Sequence, residues 1–299
     1  MNNTTKTREM LFVWDVTKAN PNGDMLNENR PRMDETTGHL EASDVRIKRF
    51  VRDYWMSIGK RVLVRQETDE KGNVLSAQQL IDRESKNDKL SINDKKADIS
   101  FANWLFEKFI DVRLFGAVVT KPKYNITGPL QINWSRSLHE AEVTIHQGNA
   151  AYASGDNKAQ ASIWTKYMTP YAAFKTNMVF NSLTANLQNI PITEDDISEF
   201  KTGLINGLKN YRSTSKNQMP RILIEIIYKQ NDIDGDMEML NYFFNKEPLA
   251  LRDISEIQFD ASPLKQYFNL KQNAIEKINV YIDKKVQIKN LPEEWIKEM

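Results

Sequence analysis

Residues 20–55 read NPNGDMLNENRPRMDETTGHLEASDVRIKRFVRDYW, and this stretch organises the chain. Asn20-Pro21-Asn22-Gly23 breaks any regular element, because proline fixes φ while glycine and asparagine tolerate positive φ. A polar loop therefore starts there, with a hairpin turn expected over Asp34–Gly38. Ser43 and Asp44 then stand as N-cap candidates before Ile47, Phe50, Val51 and Tyr54, which recur at helical spacing. At about 100° per residue those four share one face and Lys48, Arg49 and Arg52 gather on the opposite one. Such a basic face is either solvated or, since Lys48 and Arg52 lie four residues apart, a surface that grips one polyanion. Spacing leaves both readings open.

Outward from this stretch, Met10 to Val16 is apolar except at Asp15 and reads as a central, buried strand. Lys60 to Gln66 reads as a second extended piece, and Ser85 to Ser100 as a solvated connection or insertion. Phe101, Leu105, Phe106 and Phe109 restore helical periodicity up to Gly116. Gln131 to Ser135 alternates like a strand, and Glu140 to Trp164 reads as an extended, hairpin-like projection carrying Val143, Ile145, Tyr152, Ile163 and Trp164. Tyr171 to Phe180 is strand-like. Thr193 caps an amphipathic helix through Ile197, Phe200, Leu204, Ile205 and Leu208, and a strand follows from Pro220 to Tyr228. The strongest elements thus run strand, helix, strand, strand, helix, strand. That is an α+β order, βαββαβ, of the ferredoxin-like or RNA-recognition type. Beyond Asp232 the pattern is mixed, with strand-like pieces at Ile278–Ile282 and Val286–Ile288.

Composition removes several function classes. With 299 residues and no cysteine the chain has room for a large core but no disulfide, thiolate metal site or cysteine nucleophile. Its 41 basic and 40 acidic side chains leave a formal charge of +1, so any basic surface has to be local. No apolar run is long enough to cross a bilayer, which points to a cytoplasmic protein without a membrane partner. His39, His139 and His146 lack the spacing of a helical metal site, and no nucleotide-binding or nucleophile-elbow motif occurs. Asp232–Glu238 resembles a calcium loop only superficially, because its glycine falls at the fourth position and Met237 fills the sixth. A charged turn fits better. Asp24, Glu28, Asp34 and Glu35 in the loop are turn-formers, with a metal-assisted nuclease as the alternative use.

Several ordered motifs resemble one family. Asn20–Asp24, Asn27–Asp34, Thr37-Gly38 and Ser43–Asp53 are similar to the N-terminal signature of the CRISPR Cascade backbone subunit, type I-B subgroup. Asp111–Ala117, Thr127–Gln131 with Ser137–His139, and Tyr211–Ser213 resemble later segments of that family, so the likeness spans most of residues 10–230. The resemblance implies an RNA-recognition-type palm over about 8–57, 111–139 and 168–230. To it are added an inserted finger region at 58–110, a β-hairpin thumb at 140–167 and a C-terminal extension at 231–299. It implies a non-enzymatic subunit without cofactor or metal that stacks head to tail along CRISPR RNA and presents guide bases to target DNA. Other Cascade subunits and a recruited helicase-nuclease would be its partners. The expected RNA-binding residues are Asn20, Asn22, Arg30 and Arg32 in the loop, Lys48, Arg49 and Arg52 on the helix, and Arg212, Ser213, Ser215 and Lys216 before the last palm strand. Two alternatives remain: a guide-directed RNase using Asp24 or Asp34, and a structural protein that binds no nucleic acid.

Overall fold

The computed structural model describes residues 5–92, 98–149 and 163–298. It is a mixed α+β structure whose ten-stranded sheet is centred on β1 (Arg8–Ala19), the run expected to be central and buried. β1 pairs antiparallel with Ile163–Phe180, from Arg8 opposite Phe180 to Ala19 opposite Thr169. On its other edge it pairs antiparallel with Gln218–Tyr228, with a register shift between Val13 and Trp14. Ser135–Glu140 lies beyond the first partner and Ile275–Ile282 beyond the second.

The unbroken apolar run of β1 has a physical reason. Side chains alternate across a strand, and both faces of this one are covered. Met10, Phe12, Trp14 and Val16 enter one core, Leu11 and Val13 the other. The first core is closed by α1 (Asp44–Ser57) and the helix Glu194–Asn210, through Phe50, Val51, Trp55, Phe200, Leu204 and Leu208. The second is closed by Met237, Leu251, Ile254, Ile257, Phe259 and Leu264 from the C-terminal region. The mixed pattern beyond Asp232 is thus a layer that covers the sheet, supported by a small sheet of Asn241–Phe244, Ile257–Asp260 and Gln287–Lys289.

Two glycines set how closely the helices meet. A Cβ at Gly207 would stand 2.3 Å from the Phe50 carbonyl oxygen, and one at Gly203 would stand 3.0 Å from Val51 Cγ1. Only hydrogen at Gly207 lets Glu194–Asn210 pack on α1 at this distance, whereas at Gly203 Val51 would have to give by a few tenths of an ångström.

Three expectations change. Lys60 to Gln66 is not a strand; the N–H groups of Leu63 and Val64 donate to the buried Asp111 carboxylate, at 2.7 and 3.1 Å, instead of to a neighbouring strand. Ser85 to Ser100 is not a simple solvated connection, since Ser85 is buried in the helix Ala77–Asn87 and a second helix begins at Ile99. The strand expected at Gln131–Ser135 is two pieces, Leu130–Ile132 and Ser135–Glu140, interrupted at Asn133-Trp134. The projection at Glu140 to Trp164 does form a hairpin stem, Thr144–Asn149 paired with Ile163–Met168. Tyr152 lies outside the described residues.

The charged turn at Asp232–Glu238 is held from within. Glu9 accepts from the N–H groups of Asp234 and Gly235, both at 2.8 Å, and from the Tyr228 hydroxyl at 2.5 Å. Its backbone donors therefore grip a carboxylate of β1. Asp15, the one polar break in the apolar run, is buried against Arg221 at 2.9 Å and accepts from the Tyr171 hydroxyl. Burial outweighs the arginine and pushes its carboxyl up to about 6. No helix among the described residues is long and apolar enough to cross a membrane.

Candidate nucleic-acid interface

The Asn20–Gly23 break places its side chains at the start of α1. Asn22 Oδ1 accepts from both the backbone N–H and the hydroxyl of Ser43, at 2.8 and 3.0 Å, so the loop ties down the residue that precedes the helix. Ser43 spends its hydroxyl on that bond and makes no side-chain cap. Of the expected apolar face Ile47, Phe50 and Val51 are buried and Tyr54 is half-buried, while Trp55, which the spacing left out, is buried with them.

The opposite face departs from expectation. Lys48 is paired with Asp44 at 2.8 Å and Arg49 with Asp53 at 2.7 Å, each one turn away. Arg52 is not on a free basic face: only 7% exposed, it places Nε 2.8 Å from Asp111 Oδ2. The carboxylate it meets is fully buried and also takes the two backbone bonds from Leu63 and Val64. Of the three expected cations, Arg49 is the one that stays exposed.

Arg46, which the spacing argument passed over, is better placed. Its guanidinium lies 4.3 Å from the centre of the Phe50 ring and 4.4 Å from that of Tyr211, held between an aromatic of its own helix and one from a distant loop. Nε and Nη2 have no hydrogen-bond partner among the described residues. Burial draws the Arg46 pKa down. Together Asn22, Ser43, Val45, Arg46, Arg49, Arg52, Val64 and Arg65 line a groove of about 300 Å³.

The loop before the last central strand comes to the same place. The Asn20 N–H donates to the Ser215 carbonyl at 2.9 Å and the Thr17 N–H to that of Asn217 at 3.0 Å. Lys216 Nζ in turn donates to the Asn20 carbonyl. Burial, and after it the charge of Arg46, holds the Lys216 amine down at about 7. Arg212 turns back onto the Lys209 carbonyl, Asn217 and Met219. Ser213 and Ser215 serve the loop's own geometry, with the Ser215 N–H donating to Ser213 Oγ at 3.3 Å.

Arg30 and Arg32 fall on the hairpin side. Arg30 lies 4.6 Å over the Tyr167 ring, whose hydroxyl meets Glu28 at 2.5 Å, and Arg32 stands 3.4 Å from Asp24. Both arginines border a cavity of about 620 Å³ that also carries the carboxylates of Asp24, Glu35, Glu41 and Glu142. Lys166 of the hairpin donates to Thr214 Oγ1 at 2.9 Å, joining its base to the 211–217 loop. The loop acids have local roles: Asp34 accepts from Thr36 N and Thr37 Oγ1 within its turn, and Asp24 from Leu26 N. His39 and His139 are bonded to the carbonyls of Ser137 and Glu140, both at 2.7 Å.

The result is a mixed α+β protein whose groove collects Arg46, Arg49 and Arg52 of α1 with Arg65 from a distant segment. The chain belongs to the CRISPR-associated protein Cas7 family, whose model matches residues 6–261. That is further than the motifs reach, since their likeness fades after Tyr228. A curated relative, the CRISPR-associated protein Cas7 of Haloferax volcanii, is 24% identical over 314 residues, covering 95% of this chain and 89% of the relative. Among solved structures, a chain of a CRISPR RNA-guided surveillance complex, pre-nicking, has a TM-score of 0.56 at 12% identity, covering 98% of this chain and 96% of that one. A chain of a second CRISPR RNA-guided surveillance complex has a TM-score of 0.50 at 13% identity, covering 97% and 96%. These structural likenesses establish the shared fold.

Proposed function

We propose that the chain is the guide-RNA-holding backbone subunit of a type I Cascade-like CRISPR complex in the cytoplasm. The observation that carries the reading is the groove lined by Asn22, by Arg46 and Arg49 of α1 and by Arg65, with Lys216 of the 211–217 loop bonded to Asn20 of the loop that supplies Asn22. Cations that meet phosphates hold any spacer equally, and sequence is then read by base pairing with target DNA. Asn20, Asn22, Lys48, Arg49, Arg212, Ser213, Ser215 and Lys216 lie on the elements around this path, Arg30 and Arg32 on the separate cavity at the hairpin side, and Arg46 replaces Arg52 as the central cation.

In this reading β1, Ser135–Glu140, Ile163–Phe180 and Gln218–Tyr228, with α1 and Glu194–Asn210, form an RNA-recognition-type palm. The support is the sheet order, in which the fourth of these strands flanks the first and the third separates the first from the second. The covered second face moves RNA off the flat sheet surface on which such folds commonly stack bases, and onto the loop ends. Residues 58–110 serve as finger and the Thr144–Asn149 hairpin as thumb over the guide held by a neighbouring copy. Copies stack head to tail, other Cascade subunits cap the filament, and a recruited helicase-nuclease cuts. In this reading the subunit itself is not a nuclease, and Asp24 and Asp34 hold their own turns.

Salt dependence tests this. Affinity for single-stranded RNA should fall as salt rises, with a log–log slope of about 0.7 per neutralised phosphate. The double variant R46A/R49A should lower that slope by about 1.4. An unchanged slope would remove these residues from the path.

A further inference from the structure

One wall of the groove carries a hydrogen-bond acceptor whose direction is fixed. The backbone N–H of Ser43 donates to Asn22 Oδ1 at 2.8 Å, and because an N–H can only donate, it settles which end of the Asn22 amide faces the helix. The Ser43 hydroxyl stands 3.0 Å from the same Oδ1, an acceptor only, and so spends its hydrogen there. Only the lone pairs of Ser43 Oγ are left over. The N–H groups of the first helical turn do not use them, and among the described residues no other donor reaches them. At the other end of the amide, Asn22 Nδ2 has one contact, the Gly23 carbonyl at 3.4 Å, which is longer than an ordinary N–H···O bond. Asn22 and Ser43 thus offer the groove a donor and an acceptor side by side.

The rest of the lining is of two kinds. Arg46 and Arg49 supply charge, while Val45 and Val64, 65% and 53% exposed, add apolar surface beside them. A site for phosphate alone needs cations and donors. An oxygen that presents only lone pairs repels a phosphate oxygen, and exposed valines contribute nothing to an anion. Along a nucleic-acid backbone the phosphate, ester and ring oxygens all accept hydrogen bonds; the 2′-hydroxyl is the single donor, and DNA lacks it. We propose, resting on the guide-holding reading above, that Asn22 and Ser43 form a ribose subsite that selects RNA over DNA: the 2′-hydroxyl donates to Ser43 Oγ and accepts from Asn22 Nδ2. Val45 and Val64 cover the C–H edge of the same sugar, and Arg46 and Arg49 hold the adjoining phosphates. Base identity plays no part, so the subsite takes any guide sequence while disfavouring a deoxy strand. Ser43 gives up the helix cap it is placed to make, and in exchange its oxygen stays available to the ligand.

The test uses the full chain and three single strands of one sequence, RNA, 2′-fluoro RNA and DNA, with binding read by fluorescence anisotropy over a salt series. Fluorine keeps the sugar pucker of RNA and removes the donor. Wild type should bind RNA on the order of fivefold more tightly than 2′-fluoro RNA or DNA, the worth of a single hydrogen bond. S43A should bind RNA and 2′-fluoro RNA alike, near the wild-type level for 2′-fluoro RNA, and its salt slope should be unchanged because no charge has been removed. S43T keeps a hydroxyl and should restore the preference. Equal wild-type affinity for RNA and 2′-fluoro RNA overturns the subsite and leaves the guide-holding reading standing, as does an S43A protein that keeps the full preference. An S43A protein weakened equally towards all three strands assigns Ser43 to the support of the loop alone and overturns the subsite too. Binding of none of the strands by wild type overturns both.

Discussion

Replacing Arg52 by alanine separates a structural arginine from an RNA-binding one. In the structure the Arg52 side chain is nearly buried, and its Nε meets Asp111 Oδ2 at 2.8 Å. Asp111 is fully enclosed and its remaining bonds are to the N–H groups of Leu63 and Val64. Truncating Arg52 leaves that carboxylate in the interior with no cation, and breaking a buried pair from one side costs about 3–5 kcal/mol. At ~2.1 cal/mol/K per residue, the entropy of unfolding a 299-residue chain is about 0.6 kcal/mol per degree. The melting temperature of R52A should therefore drop by about 5–8 °C. Urea denaturation of the RNA-free protein gives the same quantity without the ligand. An arginine on an exposed basic face would instead change stability by less than about 0.5 kcal/mol and lower only RNA affinity. A stability loss below about 1 kcal/mol would refute the buried-pair account.

Gly207→Ala sets overpacking against helix propensity. Alanine at an exposed helical glycine gains about 1 kcal/mol, but here the new Cβ would stand 2.3 Å from the Phe50 carbonyl, so a net loss of about 1–3 kcal/mol is expected in urea titrations. A gain would mean that the two helices stand further apart than described. Lys216 also leaves a signature in the unliganded protein. Its folded pKa lies at about 7 against the ordinary 10.5, so between those values the unfolded chain binds more protons and stability rises with pH. Below about pH 7 the full cost of charging the amine is present. K216M should then raise the melting temperature most at pH 6 and progressively less towards pH 10, and a gain that does not vary with pH would contradict the assignment.

What could be read from the sequence follows the range of the interactions. β1 was legible because a strand buried on both faces needs an unbroken apolar run, and Met10 to Val16 supplies one. The apolar face of α1 was legible for the same local reason, at helical spacing. Its basic face was misread because Asp111, the partner of Arg52, lies 59 residues away. The pairs Asp44–Lys48 and Arg49–Asp53 did carry a signal, since acid and base stand one helical turn apart. Arg46 gave only half of one: Phe50 is a turn away, but Tyr211, which closes the other side of the guanidinium, belongs to a loop far along the chain. The C-terminal region was legible only in part: the strand-like pieces at Ile278–Ile282 and Val286–Ile288 match strands at Ile275–Ile282 and Gln287–Lys289, but the rest of the layer was not legible. The strands of that remainder, Asn241–Phe244 and Ile257–Asp260, are four residues long, too short for a period to show, and its apolar side chains are collected from turns and short helices. Among the site residues, Lys216 and Asn20 were named separately, and only folding revealed that one donates to the other.

The central claim is that RNA backbone runs along the groove formed by Asn22 and α1, beside Tyr211, whose ring lies against Arg46. Cross-linking the full chain to a photoreactive single-stranded RNA, followed by peptide mass spectrometry, tests it most directly. Cross-links should concentrate in peptides containing Asn20–Asn22, Arg46–Arg49 and Tyr211–Lys216. Cross-links confined to the C-terminal layer beyond Asp232, or to the acid-lined cavity around Glu41 and Glu142, would contradict it.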